Sequence, residues 1–348
     1  MPDLVTAGAI VLKTSLLIIV AGLLSLALRR QSAALRHLVW TSALALSVLM
    51  PLAVLLLPTH SILALPADVV PAPTTHEVRS GLGVWFMGSA CILAWELLSL
   101  IGLARWRRHA GPLESARWAA TLASFDCRVR VLESRHIASP CTWGVITPVL
   151  LLPSAGDEWP ESARRSALLH ELAHLQRRDA LSGLISRLAC VLHWYNPLIW
   201  FAAARARSLQ ERACDDAVLR AGTPQSDYAQ FLLDVAAHMS GMPRPHSPAI
   251  GMAHSALRKR LVAILDPQAE RSAPKRASVV ASCAALSAIT ILLGMTTIAA
   301  VPEAPAPPAK VAPTLPQVPP LPTLPTLPTL QVPPVPPVPA KLPVSPAP

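Results

Sequence analysis

Four apolar runs set the terms on which this chain can fold. Residues 4–28, 38–58, 82–104 and 277–301 each hold about twenty or more residues with few charges, the length a helix needs to cross the ~30 Å hydrocarbon core of a bilayer. Helices are the expected form, because only helices and closed barrels satisfy every backbone polar group where water is absent. Of the 348 residues 52% are apolar and only 14% charged, outside the balance of ordinary soluble domains. The expected fold class is therefore a mainly α membrane protein with four transmembrane helices. The first run is too long for a cleaved leader and lacks a basic start, with Asp3 the only charge ahead of it, so it reads as a retained span. Pro51 predicts a kink in the second.

The net charge of +10 is distributed as a topology signal. Arg29, Arg30 and Arg36 lie between the first two runs; Arg105, Arg107 and Arg108 follow the third; Arg271, Lys275 and Arg276 precede the fourth. The positive-inside rule then places the 29–36 loop and residues 105–276 in the cytoplasm, and the N-terminus, the 60–80 loop and the C-terminal tail outside. All basic clusters agree with this parity, and their flanking position argues against direct nucleic-acid binding. Lys13 and Glu96 sit inside spans at similar depth, and since an unpaired charge in hydrocarbon is costly, they are read as a pair or part of a signalling contact, the alternative being that Lys13 snorkels and Glu96 is protonated or faces a water-filled gap. Six scattered cysteines without a Cys-x-x-Cys exclude a disulfide scaffold or a thiolate zinc site; Cys91 and Cys283 read as small residues within spans.

The organisation that follows has four parts: a three-helix transmembrane region (1–104), a cytoplasmic domain (105–275), a fourth transmembrane helix (276–301) and a proline-rich extracytoplasmic tail (302–348). Within the domain, 111–123 reads as helical, 129–132 as a short strand, and 143–153 as a small hairpin or sheet edge punctuated by Gly and Pro. A helix is expected over 161–178, opened by Pro160. Residues 181–203 are apolar enough to span, but Pro197 divides them into pieces of about 15 and 6 residues, both short of the ~20 needed. They are read as a helix, a bend at Tyr195-Asn196-Pro197 and a return. Further helices are expected at 226–240 and 255–265. The tail carries 19 of the chain's 37 prolines, with Leu-Pro-Thr repeats, and reads as a disordered polyproline-II rod up to about 145 Å long at ~3.1 Å per residue.

The chemistry lies on the 161–178 helix, in His170-Glu171-Leu172-Ala173-His174. Histidines four apart share a helix face one turn apart and can grip one metal ion, while the adjacent Glu171 can take a proton from an attacking water. A hydrolytic zinc site needs a third protein ligand and one open position. The long metzincin pattern does not supply it, because Arg177 and Ala180 stand where that pattern has Gly and His. Glu211 is the natural candidate, although Arg207, four residues earlier, could instead pair with it. Asp215, one turn beyond Glu211, and Asp179 are candidates to orient the ligand histidines; Asp216 is another. Zn²⁺ would polarise the scissile carbonyl, and His193, His254 or Arg260 could help hold the oxyanion. The 143–153 segment could bind an extended peptide by strand addition.

Three segments together resemble the integral-membrane zinc peptidases of the M56 type, the β-lactam sensor-transducer antirepressors. They are Leu169-His170-Glu171-Leu172-Ala173-His174 with Arg177-Arg178-Asp179 behind it, His193-Trp194-Tyr195-Asn196-Pro197-Leu198-Ile199-Trp200, and Glu211-Arg212-Ala213-Cys214-Asp215. Residues 140–153 and 257–265 also fit, so the likeness covers about residues 1–301. The resemblance implies an α+β zincin-like (gluzincin) domain inserted between spans three and four, with His170, His174 and Glu211 as zinc ligands and Glu171 as the catalytic glutamate. It implies cleavage of a cytoplasmic protein substrate, such as a winged-helix transcriptional repressor, or self-cleavage, on an outside signal. Membrane lipids are the other expected partner, and a homo-oligomer is compatible with the reading. A departure accompanies it: the sensors' Ser-x-x-Lys nucleophile is matched only by Ser272-Ala273-Pro274-Lys275, in the basic cytoplasmic flank, so β-lactam acylation is not implied. The alternative from another class is a transducer that keeps the peptidase fold without catalysis.

Overall fold

The computed structural model describes residues 4–58, 60–66, 75–126, 129–240 and 249–301. The helices α1 (Leu4–Ala27), α2 (Ala33–Leu56) and α3 (Thr75–Arg108) come first, with a strand β1 (His60–Pro66) between the second and third. Then follow β2 (Gly111–Pro112), α4 (Ala116–Ala123), β3 (Arg130–Ser134), β4 (Cys141–Trp143) and β5 (Val149–Pro153). The helices α5 (Glu161–Arg177), α6 (Asp179–Leu192), α7 (Pro197–Arg220), α8 (Gln225–Ser240), α9 (Ala249–Leu265) and α10 (Arg276–Met295) complete the series, and β6 (Thr296–Val301) ends it. The proline-rich tail lies outside the described residues.

Four helices are long and apolar enough to cross a membrane, over Gly8–Ala27, Ala33–Leu56, Ser80–Gly102 and Arg276–Met295. Two boundaries depart from the sequence reading. The fourth helix stops at Met295, and the β-branched run Thr296–Val301 instead pairs in parallel with β1. Residues 111–123 are not one helix: Pro112 falls in a strand, and Ser115 caps the shorter α4 by accepting the Trp118 N–H. Lys13 and Glu96 do not pair. Lys13 Nζ donates to the Thr296 carbonyl at the end of α10, 2.6 Å away, where the helix dipole favours a cation. Glu96 faces Arg187 of α6 at 3.3 Å. The helical hairpin formed by α6 and α7 explains the difference, because it brings its own cation to α3.

That hairpin turns back as Pro197 predicts, at His193–Asn196, where Asn196 caps α7 by accepting the Leu198 N–H. Its tip reaches halfway along α1 and α2, the first two candidate spans: His193 Nε2 lies 2.9 Å from the Ser47 carbonyl, and Asn196 Nδ2 donates to Ser15 Oγ at 3.0 Å. Polar backbone at that level persists only when protein groups satisfy it. On the α3 side, Ser89 donates to the Val191 carbonyl and Trp85 to that of Leu192. Gly88 admits the Trp194 indole, since a Cβ there would stand 2.3 Å from it. The hairpin's outer surface stays apolar, with Leu184, Leu188, Trp200 and Phe201 exposed. Its inner surface (Ala189, Ile199, Ala202, Ala206, Leu209, Ala213) packs with Trp40, Ala43 and Leu44 of α2 in the largest core.

The small sheet has the order β2-β3-β5-β4, with β3 and β5 parallel and β4 antiparallel to β5. Gly144, at φ 99°, makes the turn after β4. Leu150 and Leu152 of β5 pack with Trp118, Ala167 and Leu168, which seats α5 against the sheet. A third core joins Val218 of α7 to Tyr228 and Ala229 of α8 and Ile264 of α9.

Candidate metal centre

The helix α5 ends abruptly. Arg178 adopts the left-handed conformation (φ 55°, ψ 42°), and α6 begins at the next residue. This single-residue joint folds Asp179 back towards the last turn of α5. Its Oδ2 lies 2.8 Å from His174 Nδ1 and accepts that N–H, which leaves Nε2 as the free lone pair. His170 is fixed differently. Its Nδ1 stands 3.0 Å from the Tyr228 hydroxyl and 3.3 Å from Asp215 Oδ1, and Tyr228 in turn donates to Asp215 at 2.8 Å.

The two Nε2 atoms, so aimed, lie 3.2 Å apart. Glu211 of α7 completes the group, with Oε2 at 3.6 Å from His170 Nε2 and Oε1 at 3.8 Å from His174 Nε2. A tetrahedral ion with bonds of ~2.0–2.2 Å needs ligand atoms roughly 3.3–3.6 Å apart, and the observed separations of 3.2 to 3.8 Å bracket that range. His174, Asp179 and Cys214 form a second close group, but through the other nitrogen of the same ring, so it belongs to the same network. Glu171 is buried on the α5 side that carries β4, where its charge bears on the Cys141 thiol; burial first, and then Glu171, push that thiol up to about 12.

The family described as BlaR1 peptidase M56 matches residues 59–264. The chain belongs to this family. It is also similar to the regulatory protein BlaR1 of Bacillus licheniformis, at 29% identity over 143 residues, which are 39% of this chain and 24% of that protein. The match thus spans about a quarter of the curated relative's length. Family membership together with the apolar helices marks a membrane protein of a signal-transducing metallopeptidase family.

In this M56 chain, Arg260 of α9 sets the charge around the site. Its Nε and one terminal nitrogen grip Asp215 at 2.9 and 2.6 Å, and the other reaches Glu211 Oε2 at 3.2 Å. Burial opposes charge on each group, but partners prevail. His170, hydrogen-bonded to Asp215 and Glu211, is raised to about 9. Glu211 is lowered to about 2 by His170 and Arg260, and Asp215 falls well below the usual carboxylate range for the same reasons. Glu211 therefore meets Arg260 and both histidines, and not Arg207. Asp216 points away, pairing with Arg271 at 3.7 Å. Of the oxyanion candidates, His193 is committed to Ser47 at the hairpin tip, the side chain of His254 lies outside the described residues, and Arg260 reaches the centre.

Sequence reasoning missed Tyr228 and Cys214, whose roles depend on how α7 and α8 pack. It also missed a link to the candidate span α2: the Arg177 guanidinium joins Asp179 at 3.3 Å and buried His37 of α2 at 2.9 Å. No local pattern marks these, because each partner is brought in from a distant segment.

Proposed function

We propose that this chain is a zinc endopeptidase of membrane signalling, with His170, His174 and Glu211 as metal ligands and Glu171 as the catalytic base. The observation that carries the reading is the convergence of three side chains: the two Nε2 atoms lie 3.2 Å apart, and the Glu211 carboxylate reaches them at 3.6 Å through Oε2 and 3.8 Å through Oε1. Each ligand imidazole is also oriented through its other nitrogen by a carboxylate or a hydroxyl–carboxylate relay, the arrangement that fixes tautomers for metal binding. The donors, two imidazole nitrogens and one carboxylate, suit zinc in a hydrolytic site, and zinc would displace the proton from His170 on binding. A bound zinc would supply Lewis acidity to the scissile carbonyl and acidify an attacking water. Glu171 accepts that water's proton and returns it to the departing amine. Arg260 holds Glu211 and Asp215 in place and offers positive potential nearby. The substrate lies along β4, the edge strand nearest α5, as an added strand whose main chain pairs with Cys141–Trp143.

The substrate would be a cytoplasmic protein, a winged-helix repressor or the chain itself, cut on an outside signal. Residues 105–275 face the cytoplasm in this reading, as their basic flanks imply. The test is zinc content and cleavage of a co-expressed repressor for wild type and Glu171→Ala. Full zinc occupancy with cleavage lowered at least a thousandfold in the variant is expected. Zinc bound to both proteins, with cleavage by neither, would favour a non-catalytic transducer instead.

A further inference from the structure

A cluster of arginines stands at the end of α2 nearest the metal centre, outside the site described above. The register comes from the contact of Trp40 with Phe201, whose rings are 5.9 Å apart. Because α7 runs back along α2, one turn from Trp40 towards the α2 N-terminus gives Arg36, and one turn from Phe201 along α7 gives Arg205. Arg212 lies two turns further on the same α7 face. The charges of Arg205 and Arg212 both bear on Arg36. None of the three guanidiniums has a hydrogen bond or ion pair among the described residues, and Arg36 Nε is buried without a partner. Asp216 feels the charge of Arg212 but also pairs with Arg271 at 3.7 Å, so one carboxylate is shared between two guanidiniums. Three like charges gathered with only a shared carboxylate beside one of them are costly unless an anion joins them.

We propose that Arg36, Arg205 and Arg212 form the phosphate site of a bound anionic phospholipid. Phosphate suits them, because guanidinium forks bind its oxygens in pairs. A lipid, rather than free phosphate, follows from the same α7 face: Phe201, one turn before Arg205, is 59% exposed, and it continues the basic stripe as an apolar one along which acyl chains lie. The cluster also sits at the end of a candidate span, where headgroups are. Glu211 lies between Arg205 and Arg212 in sequence, so the lipid would hold the helix that carries the proposed third ligand.

The full chain, purified in detergent, is titrated with phosphatidylglycerol, phosphatidylcholine or inorganic phosphate, and retained lipid is read by native mass spectrometry together with thermal stability. Wild type should keep phosphatidylglycerol and be stabilised by it, and not by the other two. The triple variant Arg36→Gln, Arg205→Gln, Arg212→Gln should bind it at least about a hundredfold more weakly, near fivefold for each arginine. The control Arg29→Gln, Arg30→Gln removes charge from the exposed turn at the same end and should lose less than about threefold. If the triple variant fails to fold, Arg205→Gln alone should show its own fivefold loss. Equal losses in control and cluster variants would reduce the effect to diffuse surface charge, and stabilisation by inorganic phosphate alone would remove the lipid; either result overturns the proposal.

Discussion

His170 and His174 sit one turn apart on the same helix, yet they are held in opposite ways. His174 takes its anchor from Asp179, five residues on, across a joint of one residue. His170 takes its anchors from α7 and α8, Asp215 and Tyr228, and these depend on Arg260 of α9. One side is built from local sequence and the other from tertiary packing. The side built by packing carries more buried charge, so it should be the more sensitive to substitution.

Loss of the group shared by both sides should have the largest effect. Glu211→Ala should weaken zinc binding at least a hundredfold, beyond the 10–100-fold expected of residues behind the ligands, as measured by chelator competition. The comparison itself is tested next by Asp215→Asn against Asp179→Asn. Asp215→Asn leaves Arg260 short of a charge partner and should cost about 3 kcal/mol in thermal unfolding, with zinc affinity down about a hundredfold. Asp179→Asn should cost zinc affinity only about tenfold; equal losses would erase the distinction between the two sides. Tyr228→Phe keeps the stack on Phe231 but deletes the hydroxyl between His170 and Asp215, and should lower stability by about 1 kcal/mol.

An effect of opposite sign sharpens the contrast with a neighbouring acid that faces elsewhere. Burial pushes the Asp216 carboxyl up to about 6, against the pull of Arg212 and Arg271. A folded-state value above the unfolded one means that this group's contribution is present below about pH 4 and is lost as pH rises through about 6. Asp216→Asn should therefore stabilise the fold by about 1–2 kcal/mol at pH 7.5 and leave it unchanged near pH 4. Destabilisation at pH 7.5 would show that the pair with Arg271 outweighs burial.

This contrast also explains how much could be read from the sequence. Helix periodicity placed His170, Glu171 and His174 on one element, and Pro197 announced the return that lets α7 approach α5. Glu211 and Asp215, at helical spacing, could be named as candidates on that basis. Tyr228 could not, because nothing in Asp227-Tyr228-Ala229 shows which helix it will meet. Arg260 was visible only as one cation in Arg258-Lys259-Arg260, whereas the structure aims it at two carboxylates. The spans were legible from hydropathy, but the β1–β6 pair was not: its apolar residues run on from the fourth helix, and a strand partner over two hundred residues away leaves no local mark. The Lys13–Glu96 pairing failed for a related reason, since depth in a span says nothing of which helix stands beside it.

The joint at Arg178 has a consequence for the order of assembly. His174 and Asp179 are near neighbours in the chain, so their contact closes a short loop and should form early, with α5 and α6 themselves. Glu211 arrives only when the hairpin has reversed and seated its tip against Ser15 and Ser47. The proposed zinc centre would then be completed last. Its occupancy during folding would report that the hairpin has found its place among the spans, and a chain stalled before that step would hold a two-histidine site too weak to retain the metal.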